Sequence, residues 1–231
     1  MPIGRNGFTL PDDFPHEPYS AVATHVTNCW DQSDIRSEFF VAWSAVEYRF
    51  RAFAASGAAF MENLNRHGTA PAPEQRYEQE RDLFSFFVNG LSVFDCAYYA
   101  IFAVGALIAP ENFPFVTEEE RRDANTSATR NRFLRVFSNE EISRTLQSIL
   151  NDPSYQDVRT KRNILAHRVQ PGRHLYASFG GPPAREDEWM LGGEALTSVI
   201  PSRRVELTRL LTDLITTFGR FLLSPSACRR P

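Results

Sequence analysis

Between Pro73 and Pro110 the chain runs without another proline, and the second half of that stretch, Gly90 to Ala109 (GLSVFDCAYYAIFAVGALIA), carries a single charge, Asp95. A segment this long and apolar either crosses a bilayer or forms the central helix of a bundle, buried on most sides. Asp95, and an amphipathic pattern already under way from Tyr77 to Asn89, favour the central helix. It is expected to start near Pro73, at a tolerated first-turn position, and to end at Ile108 before Pro110. A domain organised around such a helix is all-α.

The neighbouring segments fit that frame. From Asp34 to Arg66, Phe39, Trp43, Val46, Phe50 and Phe53 recur at helical spacing while Glu47, Arg49 and Arg51 fall off the stripe, and NRHGTAPAP then stops the helix. These two long helices read as an antiparallel pair. Thr117 with Glu118, Glu119 and Glu120 resembles a capping box, and a helix is expected from there to Val136. A second short helix is capped by Ser138 or Asn139 and buries Ile142, Leu146, Ile149 and Leu150. Asn151, Asp152 and Pro153 break the chain, and Ser154 caps a further helix. Beyond Arg168, the short segments HLYASF and EWML, separated by glycines and prolines, predict a hairpin or ordered loop. Pro201 is expected to open the last helix, with Val205, Leu207, Leu210, Leu211, Leu214, Ile215, Phe218, Phe221 and Leu222 on its apolar face.

The expected architecture is an up-and-down helical bundle of about five to six helices. Residues 1–30 form an extended N-terminal arm rich in turn-forming residues, and 31–231 a single domain with the insert at about 170–200. Cys29, Cys96 and Cys228 have no Cys-x-x-Cys spacing and fit a reducing cytoplasm. His16, His25, His67 and His174 show no metal-ligand spacing, so neither a metal nor a cofactor is expected. Net charge is -3, which excludes bulk attraction to nucleic acid, but Arg121 to Arg173 holds eleven basic side chains against five acidic ones. That segment predicts a local cationic face. Nearly every basic residue is arginine, Lys161 being the exception.

Within the basic segment, Tyr155 to Arg168 (YQDVRTKRNILAHR) places Arg162, Asn163 and His167 on one short helix. At about 100° per residue from Arg162, Val158, Leu165 and Val169 fall near 300 to 340° and face the core, with Arg159 near 60°, Asn163 near 100°, Gln156 near 120° and His167 near 140°. A polar arc of Gln156, Arg159, Asn163 and His167 therefore borders Arg162. Asn163 and His167 are four apart and can touch, which would orient the imidazole. Such a set can cleave RNA without a metal: His167 exchanges the proton of a ribose 2′-hydroxyl or a leaving 5′-oxygen, and Arg162 stabilises charge on the phosphate. A single histidine cannot serve as both base and acid at once. A twofold dimer pairing two such helices supplies both.

The run Arg162-Asn163-Ile164-Leu165-Ala166-His167 resembles the signature of the HEPN superfamily, small helical bundles whose motif is an arginine, a polar residue, a few more residues and a histidine. The resemblance implies a dimeric, metal-independent endoribonuclease, often a toxin or defence component held by a protein antitoxin, with catalytic Arg162 and His167 supported by Asn163 and Arg159. It implies a homodimer joined through the motif helix and RNA as the substrate; the reading of Gly90 to Ala109 as a central helix implies no membrane. Val169 stands where some members carry a tyrosine that is modified for control, so that mode of control is not expected.

The same residues support a plainer reading. Arg162 pairs with Asp157 or Asp95 and tethers helices, His167 near a helix C-terminus gains from the helix dipole alone, and Asn163 is a surface residue. A buried Asp95 is then satisfied by a tyrosine or arginine in the core. On that reading the chain is a non-catalytic interaction, regulatory or nucleotide-binding bundle.

Overall fold

The computed structural model describes residues 3–4, 7–167, 172–174 and 188–227. Among them are eight helices: α1 (His16–Cys29), α2 (Asp34–His67), α3 (Pro73–Ile108), α4 (Glu118–Asp123), α5 (Thr126–Val136), α6 (Glu141–Asn151), α7 (Pro153–His167) and α8 (Leu196–Leu222). Three short strands, β1 (Gly172–His174), β2 (Glu188–Leu191) and β3 (Glu194–Ala195), form one antiparallel sheet in the order β1-β2-β3 ahead of α8.

The long pair α2 and α3 forms as the punctuation dictates. Ser33 caps α2 by accepting the Arg36 amide at 3.2 Å. Gly68, at φ +68°, ends it while returning its N–H to the Leu64 carbonyl. The two helices run antiparallel: Tyr99 bonds Glu38 at 3.0 Å, Arg49 bonds Asn89 at 3.1 Å, and Asn63 bonds Glu78 at 3.0 Å, so rising numbers on one helix meet falling numbers on the other. Phe53 and Phe86 meet midway with centroids 4.5 Å apart. α3 also packs against α5, α7 and α8 and is the centre of the domain. Among the described helices it is the one long and apolar enough to cross a membrane, and 67% of its most apolar window is buried inside the protein.

Several expectations need correction. The N-terminal arm is not extended throughout 1–30, because residues 16–29 form α1, where Tyr19, Val22, Ala23 and Val26 share one helical face and are buried. Tyr19 stacks on Trp43 at 4.9 Å, donates to the Trp43 carbonyl at 2.7 Å and accepts the Trp43 indole N–H at 3.2 Å, which clamps α1 to α2. The helix expected from Thr117 to Val136 is two helices. The Thr117–Glu120 capping box is present, but Asn125 opens a second start by accepting the Ala128 amide at 3.0 Å. With α1 and this split, eight helices replace the expected five to six.

Glu140, not Ser138 or Asn139, precedes α6. Asp152, not Ser154, caps α7, accepting the amides of Ser154 and Tyr155 at 2.8 and 3.3 Å. α8 begins at Leu196, ahead of Pro201, because Leu196, Val199 and Ile200 already belong to its buried face; Val205 is 67% exposed and lies off it. Glu47, expected off the α2 stripe, is fully buried, close under Gly4. The HLYASF segment beyond His174 and Cys228 lie outside the described residues. EWML is β2, turning into β3 through Gly192 and Gly193 at φ +64° and +84°, a two-residue hairpin that requires glycine-like backbone. Trp189 anchors the sheet by donating to the Thr69 carbonyl at 3.0 Å and packing on Phe60.

Two helical glycines are expected to respond oppositely to alanine. A Cβ at Gly105 would lie 2.6 Å from the buried Phe113 ring, so Gly105→Ala should cost about 1–3 kcal/mol of overpacking. At Gly219 the nearest atom is Val22 Cγ2 at 3.5 Å, so Gly219→Ala should stabilise by about 0.5–1 kcal/mol through backbone entropy. Urea unfolding of both variants measures the two signs.

Candidate anion-binding cleft

α7 has three working arcs. Val158 and Tyr155 are buried against the bundle, with Tyr155 edge-on to Phe94 of α3 at 5.4 Å. On a second arc Lys161, only 2% exposed, bonds Asp157 one turn back and reaches Glu194 of β3 at 3.3 Å. Arg203 of α8 closes the group, its Nε 2.7 Å from Asp157 and its Nη2 3.5 Å from Glu194. This network fixes α7 to the sheet and to α8.

The third arc turns Arg159 and Arg162 into a cleft of about 220 Å³ bounded by α3, α7, the start of α5 and the end of α6. Asp95, Arg130, Tyr155 and Gln156 line it as well. None of the three arginines forms an ion pair with a described carboxylate. Among the described residues Arg130 holds only Asn131 Oδ1, at 3.0 and 2.8 Å, and the buried Arg162 Nε has no hydrogen-bond partner. Gln156 is fixed by donating to the Leu150 carbonyl. Three arginines and one aspartate line the cleft, so it is cationic.

Asp95 is open to solvent yet has protein on most sides, as befits a group in a concavity. Desolvation there pushes its carboxyl pKa up, against the opposing pull of Arg162 and Arg159. Burial, reinforced by Asp95, also pushes the Tyr155 phenol up to about 12, so it stays a proton donor at neutral pH.

The sequence-derived candidates divide. Arg162 and Arg159 meet in the cleft; Asn163 is exposed and does not line it; His167 ends α7, and its side chain lies outside the described residues. The pairing of Arg162 with Asp157 is not formed, since Lys161 and Arg203 take that carboxylate. Asp95 is not satisfied by a core tyrosine: Tyr98 donates to the Leu146 carbonyl and Tyr99 to Glu38. Arg130 lies outside the motif but within the basic excess between Arg121 and Arg173 that signals a cationic face. No protein-family model, curated protein or solved structure matches the chain.

Opposite pH signatures follow for the two aspartates. At Asp157, burial raises the pKa but the bonds from Lys161 and Arg203 outweigh it and hold it below the ordinary 3.8. Its stabilising contribution is present above that value and lost as pH falls through the lowered folded pKa, so Asp157→Asn should lower Tm at pH 7 and lose its effect in strong acid. Asp95, with a raised pKa, opposes folding when ionised. Asp95→Asn should therefore raise Tm at pH 7, with the gain fading as pH falls through the raised folded pKa and gone below the ordinary 3.8. Thermal melts across pH 2–7 measure both.

Proposed function

We propose that this chain is a HEPN-like, metal-independent endoribonuclease acting as a homodimer through its motif helix, with Arg162 on the scissile phosphate and His167 in proton transfer. The supporting observation is the Arg162 guanidinium, which sits in a cationic cleft with a buried Nε that lacks an acceptor. A phosphodiester oxygen satisfies both the charge and the donor. In the proposed reaction the ribose 2′-oxygen loses its proton to one His167 and bonds to phosphorus. The bond to the 5′-oxygen breaks, and that oxygen takes a proton from the second His167, leaving a 2′,3′-cyclic phosphate. Arg162 offsets the charge that grows on the phosphoryl oxygens, and Arg159 supports it from the next turn. A protein antitoxin in such a system would act by covering the cleft.

A second reading is favoured by the absence of Asn163 from the cleft lining: a cleft of Arg130, Arg159 and Arg162 suffices to hold a phosphate without cutting anything. The chain is then a phosphate- or nucleotide-binding module.

End-labelled single-stranded RNA incubated with the protein in EDTA separates the two. The nuclease reading expects fragments ending in 2′,3′-cyclic phosphate, and rates reduced by about 10²-fold or more in Arg162→Ala and in His167→Ala. Binding without fragments, or fragments whose rate is unchanged in His167→Ala, decides for the binding module or against this chemistry.

A further inference from the structure

The cleft extends past Arg162 to a part of the fold that the motif does not reach. Thr126 and Ser127, the first two residues of α5, line it beside Arg130 of the same helix. As first-turn residues their backbone N–H groups have no acceptor within the helix; Asn125 caps only the Ala128 amide, at 3.0 Å. The positive end of the α5 dipole thus opens into the cleft. Arg130 stands one turn further along, its guanidinium held by Asn131 while its Nη1 stays unbonded among the described residues. On the α3 side the Asp95 carboxylate repels an anion and pushes it toward α5 and α7. Two cationic groups therefore line the cleft from different helices: Arg159 with Arg162 on α7, and Arg130 with the α5 N-terminus.

We propose that the cleft has two phosphate subsites and takes consecutive phosphates of a single RNA strand, the second subsite being Arg130 with the Thr126 and Ser127 amides. The cleft is lined mainly by polar and charged side chains, which suit a sugar–phosphate backbone. The strand is held by its backbone, and this subsite reads no sequence. The proposal rests on reading the cleft as a phosphodiester site, but not on cleavage.

The test is calorimetric titration of the full chain with a 2′-O-methyl uridine tetranucleotide, which lacks the attacking hydroxyl, at several salt concentrations. Arg130→Gln removes the guanidinium. Thr126→Pro deletes one amide at a helix position that accepts proline, after an Asn125 that already has extended φ and ψ of -103° and 176°. Arg135→Gln, an exposed arginine of α5 outside the cleft lining, is the control, and circular-dichroism melts verify the fold of each variant. The expected result is about tenfold weaker binding for Arg130→Gln and for Thr126→Pro, a salt slope shallower by about 0.7 for Arg130→Gln, and no change for Arg135→Gln. Wild-type affinity in a folded Arg130→Gln, an equal loss in Arg135→Gln, or no binding of the tetranucleotide by the wild type overturns the proposal. Loss of binding in the cleft variants with no cleavage of RNA by the wild type leaves the subsite standing and removes the nuclease. Cleavage with undiminished binding by both variants does the reverse.

Discussion

The placement of α7, and with it the cleft, depends on the ion network around Lys161. It is the chain's only lysine and is almost completely buried, enclosed by Asp157, Glu194 and Arg203. Removing one partner from a buried ion pair leaves the other charge desolvated, a cost that falls to about 1 kcal/mol or less where the partner is as exposed as Glu194. Such a network is a weak source of net stability. Its effect here is orientation: with Asp157 and Lys161 held on one side of a 3.6-residue repeat, Arg159 and Arg162 must emerge on another, over α3.

The opposite wall is set by α3. Its apolar surface is consumed by α2, α5, α7 and α8, and Asp95 interrupts that surface where it borders the cleft. A carboxylate with a raised pKa opposes folding at neutral pH, and near Arg162 and Arg159 it only partly offsets their mutual repulsion. Among the described residues the three arginines form no ion pair. An anion in the cleft would relieve that repulsion and give Arg162 Nε an acceptor.

What was legible in the sequence follows from how local each cause is. The limits of α2 and α3 were readable because Gly68, Pro73 and Pro110 punctuate them, and the buried stripes of α2, α6 and most of α8 follow from spacing alone. α1 was hidden behind a proline-rich lead-in, and its burial comes from α8 and from Trp43, both distant in sequence. Pro201 misled because a proline is a good helix opener in isolation, whereas the buried Leu196, Val199 and Ile200 extend the helix ahead of it. At the site, the arc containing Arg159 and Arg162 was readable from helix geometry. The contributions of Asp95, Arg130 and the α5 N-terminus come from helix packing, which no spacing within α7 encodes. Asn163 fell the other way: adjacency in the motif did not carry it into the cleft.

The most direct measurement is a crystal structure of the protein with a bound 2′-O-methyl dinucleotide. The account expects a phosphate oxygen within hydrogen-bonding distance of Arg162 Nε, with Arg159 beside it and Asp95 turned to a sugar hydroxyl or water. A dinucleotide bound elsewhere, with the Arg162 Nε still lacking an acceptor, contradicts it.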